Sequence, residues 1–292
     1  MSMAPTTLEQ VLGSLKGQYQ WAQDDSAMLL GWSMTKSILN ALVGIRVRQG
    51  EMKLDQSALL PEWCEQPLDQ RCNITVLQLL QMSSGLYFDE TYGAFSGATR
   101  MLFANTDIAK FATHHKYDEG TVLFQSCLCV MVLSAPRTLT VYAAGKRFYY
   151  SSATTNILTL ILRNSFADPV DFANFPRKEL CARPRPPSLP VMFSRFLMLF
   201  RFEPLGMSSA LIQTDSKGLF VMSSFGQVVI RAYFTSTILV IRCRYANICD
   251  WVSFGALYAR NGRTLSGRQI LTEEWIAMTT APNEFAEFGE RC

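Results

Sequence analysis

Gly31-Trp32-Ser33-Met34-Thr35-Lys36-Ser37 is the stretch that decides how this chain is interpreted. It places a serine and a lysine three residues apart at the start of a long apolar segment. On an α-helix, residues at this spacing lie one above the other on the same face. The lysine amine is therefore expected within hydrogen-bond reach of the serine hydroxyl, the minimum needed to make a serine nucleophilic without a histidine.

The segment that follows predicts a helix over residues 33–49. Gly50 is a typical helix stop, and apolar residues occupy most sides of the helix, so we expect it to be largely buried. Unpaired N–H groups in its first turn would favour the negative charge that develops at a nucleophile. An ordinary core helix with Ser33 as its N-cap fits the same pattern, so the spacing alone leaves both interpretations open.

Length and charge exclude several other classes of protein. The 292 residues fit one large domain or two small ones. The net charge is +3 with scattered Lys and Arg, so no nucleic-acid partner is predicted. The two histidines are adjacent and are interpreted as surface residues at a helix end. No segment reaches the roughly 20 apolar residues of a membrane span, so membrane association is not expected.

The cysteines predict neither a metal site nor the disulfide framework of a secreted protein. The eight cysteines contain no C-x-x-C pair and no Cys/His cluster at zinc spacing. No secretory signal opens the chain. The sequence therefore predicts a cytoplasmic protein with free thiols, whose oligomeric state cannot be predicted.

Hydrophobic periodicity predicts further helices along the chain, while few strands are visible. The predicted helices cover residues 75–82, 106–115, 152–166, 170–180, 253–260 and 272–278.

Five stretches, in the same order along the chain, resemble motifs of the serine β-lactamase and penicillin-binding-protein superfamily. They are residues 31–37, the "LLxMxSGL"-like 79–86, the "FxYS"-like 148–152, the "PLGM"-like turn 203–207 and the late stretch 262–275. The chain is most similar to the class C-like branch, which includes β-lactamase-related esterases and 6-aminohexanoate-dimer hydrolases. The resemblance implies an α/β fold in one domain over 1–292, with an antiparallel sheet flanked by helices and a helical lobe.

The resemblance also implies roles for individual residues. Ser33 would be the nucleophile that is acylated and then deacylated by water, Lys36 the base, and Tyr150 the general acid/base that carries the proton to the leaving group. Ser152 lies on the substrate side where many β-lactamases of this branch have Asn, which favours esterase or amidase work on linear substrates. Tyr92 resembles a substrate-side tyrosine, although a core or surface aromatic fits equally. The substrate would be a small ester or amide, and no cofactor is implied.

Three apolar stretches interrupt the family pattern, at residues 122–147, 182–201 and 227–249. We interpret them as translated introns or similar gene-model errors, with genuine loops as the alternative, because long unstructured loops are uncommon and normally polar. Sequencing the mature transcript would decide between the two.

The ends of the chain also depart from the family. Few residues precede Ser33, and no Lys/His-Thr-Gly-type motif follows Trp275. That motif lies on a strand which normally supplies an oxyanion-hole donor, and losing one donor costs about 10²–10³ in rate. The sequence therefore predicts an incomplete sheet and a poorly soluble, nearly inactive chain. A non-catalytic fold remnant is the alternative to a serine hydrolase.

Overall fold

The computed structural model describes two compact parts of the chain. The described residues are 28–29, 31–67, 69–91, 96–113, 144–180, 205–207, 210, 212, 214–222, 229–230, 239–240 and 246–282. The first unit comprises Met1–Met52, Ser165–Thr214 and Ser224–Ala281, and the second comprises Lys53–Asn164, Asp215–Ser223 and Pro282–Cys292. The single domain over 1–292 stays a prediction.

The described residues are mainly helical. Their α-helices are α1 (Thr35–Arg48), α2 (Val76–Leu80), α3 (Gly97–Phe103), α4 (Ile108–Thr113), α5 (Ser152–Asn164), α6 (Pro169–Glu179), α7 (Ile248–Ala259) and α8 (Glu273–Thr280). Short 3₁₀ helices cover Trp32–Met34, Pro61–Trp63 and Gln70–Asn73. None of the helices in these ranges is long and apolar enough to cross a membrane.

Strands in the described ranges form two short antiparallel pairs, both in the first unit. Strand β1 (Met28–Leu29) pairs with β4 (Ala246–Asn247), and β2 (Val229–Ile230) pairs with β3 (Leu239–Val240). Met28 lies opposite Asn247, and Val229 lies opposite Val240. These pairs do not amount to the wider antiparallel sheet that the sequence predicts, so that sheet is not confirmed.

Helix α1 forms the core of the first unit, as its apolar pattern predicts. Nine of its residues are buried: Thr35, Ile38, Leu39, Ala41, Leu42, Val43, Gly44, Ile45 and Arg46. A glycine in mid-helix is costly, by about 1 kcal/mol relative to alanine. Here close packing explains it, because a Cβ on Gly44 would lie 2.5 Å from Cε2 of Trp275 on α8. Gly44 therefore lets α8 approach the backbone of α1.

Arg46, near the C-terminal end of α1, binds residues 165–166, which precede α6. Its guanidinium lies 4.0 Å from the ring centre of Phe166 and donates from Nε to Oγ of Ser165 at 3.1 Å. A second nitrogen donates to the carbonyl oxygen of Ser165. Burial lowers the pKa of Arg46, while the Coulomb attraction of Glu51 raises it. The stacking and hydrogen bonds offset part of the cost of burying this charge.

Helix α5 forms the core of the second unit, as α1 does in the first. Ten of its thirteen residues are buried, and α2, α3 and α4 pack against it. Its buried threonines are satisfied locally, since Thr155 donates to the carbonyl of Ser151 at 3.3 Å and Thr159 to that of Thr155 at 3.1 Å. These bonds within α5 allow its polar side chains to be buried in the core. Helix α2, which packs against α5, begins with a capping box between Thr75 and Gln78.

Most of the predicted helices are confirmed with small shifts at their ends. Helix α7 differs, because it begins at Ile248 rather than at 253 and so includes the end of the predicted insert 227–249. Helix α3 was not predicted, although Ser96 caps it by accepting the N–H of Thr99 at 3.2 Å. Residues 122–143 and all of 182–201 lie outside the described residues, so the intron interpretation stays a prediction.

A disulfide joins Cys64 and Cys72 in the second unit, so the expectation of free thiols is wrong for this pair. Cys64 directly follows the 3₁₀ helix Pro61–Trp63, and Cys72 lies within the 3₁₀ helix Gln70–Asn73, so the disulfide links these two helices. Sequence spacing gave no signal, because the two cysteines are eight positions apart and no recognised motif contains them. Disulfides are rare in the cytosol, and the location of the protein stays a prediction.

Reducing this disulfide is expected to destabilise the protein by about 2.5 kcal/mol, the chain-entropy cost of a closed loop of this length. Urea unfolding of the Cys64→Ser variant, compared with the parent, measures the loss. Cys249→Ser is the control, because Cys249 is a free, half-buried cysteine among the described residues. Equal unfolding midpoints for the parent and Cys64→Ser would contradict the expectation.

Candidate active site

Ser33 lies at the junction between the 3₁₀ turn Trp32–Met34 and α1. The turn is closed by the N–H of Met34, which donates to the carbonyl of Gly31 at 2.8 Å. The hydroxyl of Thr35 donates to the carbonyl of Trp32 at 2.8 Å. The turn leads directly into the helix, so Ser33 is held in the 3₁₀ turn immediately before a buried helix.

The side chains of Ser33 and Lys36 meet as their spacing predicts. Lys36 Nζ donates to Ser33 Oγ at 3.3 Å, and both residues are half-buried. Nucleophile and base contacts are often this loose in a protein without substrate. The pair can exchange a proton directly, which is the chemical requirement for activating a serine without histidine.

Two exposed apolar side chains flank Ser33 in sequence. Trp32 is 48% exposed and Met34 is 50% exposed. The backbone of Trp32 has φ of 45°, a left-handed conformation that a bulky side chain rarely adopts. Such conformations persist only where the surroundings hold them, and they concentrate at functional sites.

Close packing holds the residue before this turn. A Cβ on Gly31 would overlap the ring of Trp251 on α7. Glycine is therefore the residue that fits, and α7 directly supports the turn that carries Ser33.

A hydrogen-bond cluster fixes α1 one to two turns beyond Ser33. Tyr258 on α7 donates its hydroxyl to Oδ1 of Asn40 at 2.9 Å and to the carbonyl of Ser37 at 3.3 Å. Trp275 on α8 donates Nε1 to the same Asn40 oxygen at 3.2 Å. Burial raises the pKa of Tyr258. The cluster orients the helix face that carries the Ser33–Lys36 pair.

We expect Asn40→Leu to lower the free energy of unfolding by about 2 kcal/mol and Tyr258→Phe by about 1 kcal/mol. Removing the shared acceptor leaves the buried Trp275 N–H unpaired and leaves Tyr258 only its longer bond to the Ser37 carbonyl. Tyr258→Phe removes a donor together with its bonds but leaves the bond from Trp275 to Asn40 in place. Urea unfolding of both variants measures the difference. A Tyr258→Phe loss as large as the Asn40→Leu loss would show that Asn40 is not the shared partner.

Tyr150 belongs to the second unit, in the irregular segment that leads into α5. It is half-buried. Its neighbour Tyr149 is held firmly, because its N–H donates to the carbonyl of Met82 at 2.7 Å and its hydroxyl to that of Phe88 at 2.8 Å. Burial, with neighbouring acidic side chains, raises the pKa of Tyr149 to about 12. Tyr149 is therefore suited to anchoring this segment rather than to proton transfer.

Ser152 is fully buried at the start of α5. Its N–H donates to Oε2 of Glu90 at 2.9 Å, and its hydroxyl donates to Oε1 at 2.5 Å. The hydroxyl is thus engaged within the protein, so the geometry favours a structural part for Ser152 over the substrate contact expected from sequence. Tyr92 lies outside the described residues.

Sequence reasoning missed Glu90 and Asn40. Glu90 precedes Ser152 by 62 positions, and no periodicity links the two. Asn40 had a weak signal, being a polar residue on an otherwise apolar helix. Among the described residues no group of three or more His, Cys, Asp or Glu could hold a metal ion.

Comparison with solved structures gives several distant likenesses. The chain is similar to a candidate β-lactamase from Bacteroides dorei DSM 17855, with 17% identity, 87% of this chain and 56% of that chain covered, and a TM-score of 0.47. It is also similar to a candidate 6-aminohexanoate-dimer hydrolase from Bacillus anthracis, with 16% identity and a TM-score of 0.49, and the match covers 87% of this chain and 53% of that chain. A third similar structure is the octameric penicillin-binding protein homologue from Pyrococcus abyssi, with 16% identity and a TM-score of 0.41, and the match covers 84% of this chain and 47% of that chain.

The chain spans about half the length of these solved proteins. No curated protein matches it. The sequence profile described as "Beta-lactamase" matches residues 16–210, which is more than half of the chain and includes Ser33, Lys36 and Tyr150. The match supports the β-lactamase/transpeptidase-like fold expected from the sequence motifs. The chain belongs to the β-lactamase family.

Proposed function

We propose that this protein is a serine hydrolase that cleaves a small ester or amide through an acyl-enzyme on Ser33. The observation that carries the proposal is the 3.3 Å contact between Lys36 Nζ and Ser33 Oγ at the start of a buried helix. Membership of the β-lactamase family supports it. The contact supplies a nucleophile and a base in one helical turn.

In the acylation step, Lys36 is proposed to take the proton of Ser33 Oγ while that oxygen attacks the substrate carbonyl carbon. The bond to the leaving group then breaks, and the leaving oxygen or nitrogen receives a proton. The N–H of Ser33 is proposed as one donor to the developing oxyanion. Its place near the start of α1 supports this role, because helix N-termini favour negative charge.

Tyr150 is proposed to carry the proton that Lys36 took from Ser33 on to the leaving group, which returns Lys36 to its starting state. In deacylation a water molecule attacks the acyl carbon, gives up one proton and releases Ser33 as the free hydroxyl. The net reaction adds one water across the ester or amide bond. The role of Tyr150 rests on the family pattern at residues 148–152, and the firm anchoring of Tyr149 supports a defined backbone position next to it.

Linear esters or amides are the proposed substrate class. Ser152 stands where many β-lactamases of this branch have Asn, and its hydroxyl is engaged with Glu90. The exposed side chains of Trp32 and Met34 next to Ser33 favour an apolar acyl group. The proposal therefore expects faster turnover of p-nitrophenyl butyrate than of a chromogenic cephalosporin.

Active-site labelling tests the proposal. Purified protein treated with a fluorophosphonate probe is digested, and mass spectrometry locates the adduct. The proposal expects the adduct on the peptide that contains Ser33. No adduct at all would favour a non-catalytic relative, and an adduct on another serine would overturn Ser33 as the nucleophile.

A further inference from the structure

Glu90 makes a two-point contact with the first residue of α5. Each carboxylate oxygen accepts one hydrogen bond from Ser152, at 2.9 Å from the backbone N–H and at 2.5 Å from the hydroxyl. Ser151 caps the next free donor, since its hydroxyl oxygen accepts the N–H of Thr154 at 3.2 Å. The first turn of α5 is therefore fixed by one neighbouring residue and by one residue 62 positions earlier.

The segment that carries Glu90 also holds the residue on the other side of Tyr150. Tyr149 donates to the carbonyls of Met82 and Phe88, at 2.7 and 2.8 Å. Its ring stacks on Tyr87 with 6.0 Å between ring centres. Residues 82–90 thus bind Tyr149, directly before Tyr150, and Ser152, two residues after it.

We propose that Glu90 is a positioning residue for Tyr150, an inference that rests on the proposed function. It acts through Ser152: by fixing the first turn of α5, the carboxylate fixes the backbone from which the Tyr150 side chain extends. It does not itself touch the substrate. Residues 82–90, which begin inside the 79–86 motif and continue past it, hold the backbone on both sides of Tyr150 in this proposal.

The chemistry of the contact favours a specific carboxylate. Hydrogen bonds to an ionised acceptor are roughly twice as strong as neutral ones. Negative charge at a helix N-terminus is also favourable. A glutamine at position 90 keeps the size but loses the charge and one acceptor oxygen. Misplacement of a reacting group by about 1 Å can cost ~10²-fold in rate. Even a partial loosening of the first turn of α5 should therefore shift Tyr150 enough to lower the reaction rate.

The test compares Glu90→Gln with Asp89→Asn. Asp89 is the matched control, because it is the adjacent carboxylate and its oxygen binds Thr91 in an exposed turn, at 3.0 Å to the N–H and 2.7 Å to the hydroxyl. Under conditions where every variant is fully folded, we expect Glu90→Gln to lower kcat for p-nitrophenyl butyrate by about 10-fold with KM nearly unchanged. Amide exchange at Ser152 should become faster, and Asp89→Asn should leave both unchanged.

A double-mutant cycle separates positioning from simple stabilisation. In a Tyr150→Phe background, Glu90→Gln should cost almost nothing further, because both changes remove the same contribution. Additive losses, or an unchanged kcat in Glu90→Gln alongside an active parent, would overturn the inference and leave the proposed function standing. A parent without Ser33-dependent turnover would instead overturn the proposed function, and the positioning role with it.

Discussion

Ser33→Ala is expected to abolish acyl-enzyme formation and to lower ester turnover by ~10³-fold or more. The substitution removes the only atom that can form the covalent bond in the proposed mechanism, and leaves Lys36 without its partner at 3.3 Å. Without the hydroxyl, water would have to attack the substrate directly. The fold should persist, because Ser33 is half-buried and alanine is a good helix former.

Stopped-flow turnover of p-nitrophenyl butyrate and intact-protein mass spectrometry measure this effect together. Ser37→Ala is the matched control, since Ser37 lies one helical turn further along α1 with an exposed side chain. We expect Ser37→Ala to behave like the parent in both assays. Turnover in Ser33→Ala within twofold of the parent would show that any activity arises elsewhere.

The parts of the site that sequence predicted are those governed by local geometry. Ser33 and Lys36 are three residues apart on a helix, so their contact follows from the helix itself once Gly50 and the apolar pattern fix its extent. The burial of α1 follows from its apolar sides for the same reason. These features depend on neighbours within one or two turns, which the sequence displays directly.

Contacts between distant positions could not be predicted in this way. The hydrogen bonds that Ser152 donates to Glu90 and that Tyr258 donates to Asn40 each join separate elements, across 62 and 218 positions. Periodicity reports which face of a helix is buried, not which polar group will meet it there. The Cys64–Cys72 disulfide was missed because a spacing of eight positions between two cysteines matches no recognised pattern. The wide sheet implied by the family resemblance is not confirmed in the described ranges.

The "FxYS"-like motif offers two tyrosines, and sequence alone gave the general acid role to the second of them by family pattern. Tyr149 donates its hydroxyl to the Phe88 carbonyl at 2.8 Å, and burial raises its pKa to about 12. A group with so high a pKa releases its proton reluctantly near neutral pH. Tyr149 is thus a poor proton carrier, which leaves Tyr150 as the better candidate.

Tyr150→Phe is therefore expected to keep the fold and to lower kcat for p-nitrophenyl butyrate by about 10²–10⁴-fold, the usual contribution of a positioned proton donor. The change removes one hydroxyl at almost constant volume, so the unfolding midpoint should move little. Tyr149→Phe is the control with the opposite pattern: it loses the bond to Phe88 and about 1 kcal/mol of stability, and keeps kcat within a few-fold. Comparable kcat losses in the two variants would show that Tyr150 acts through structure. A tenfold larger loss in Tyr149→Phe would transfer the proton role to Tyr149.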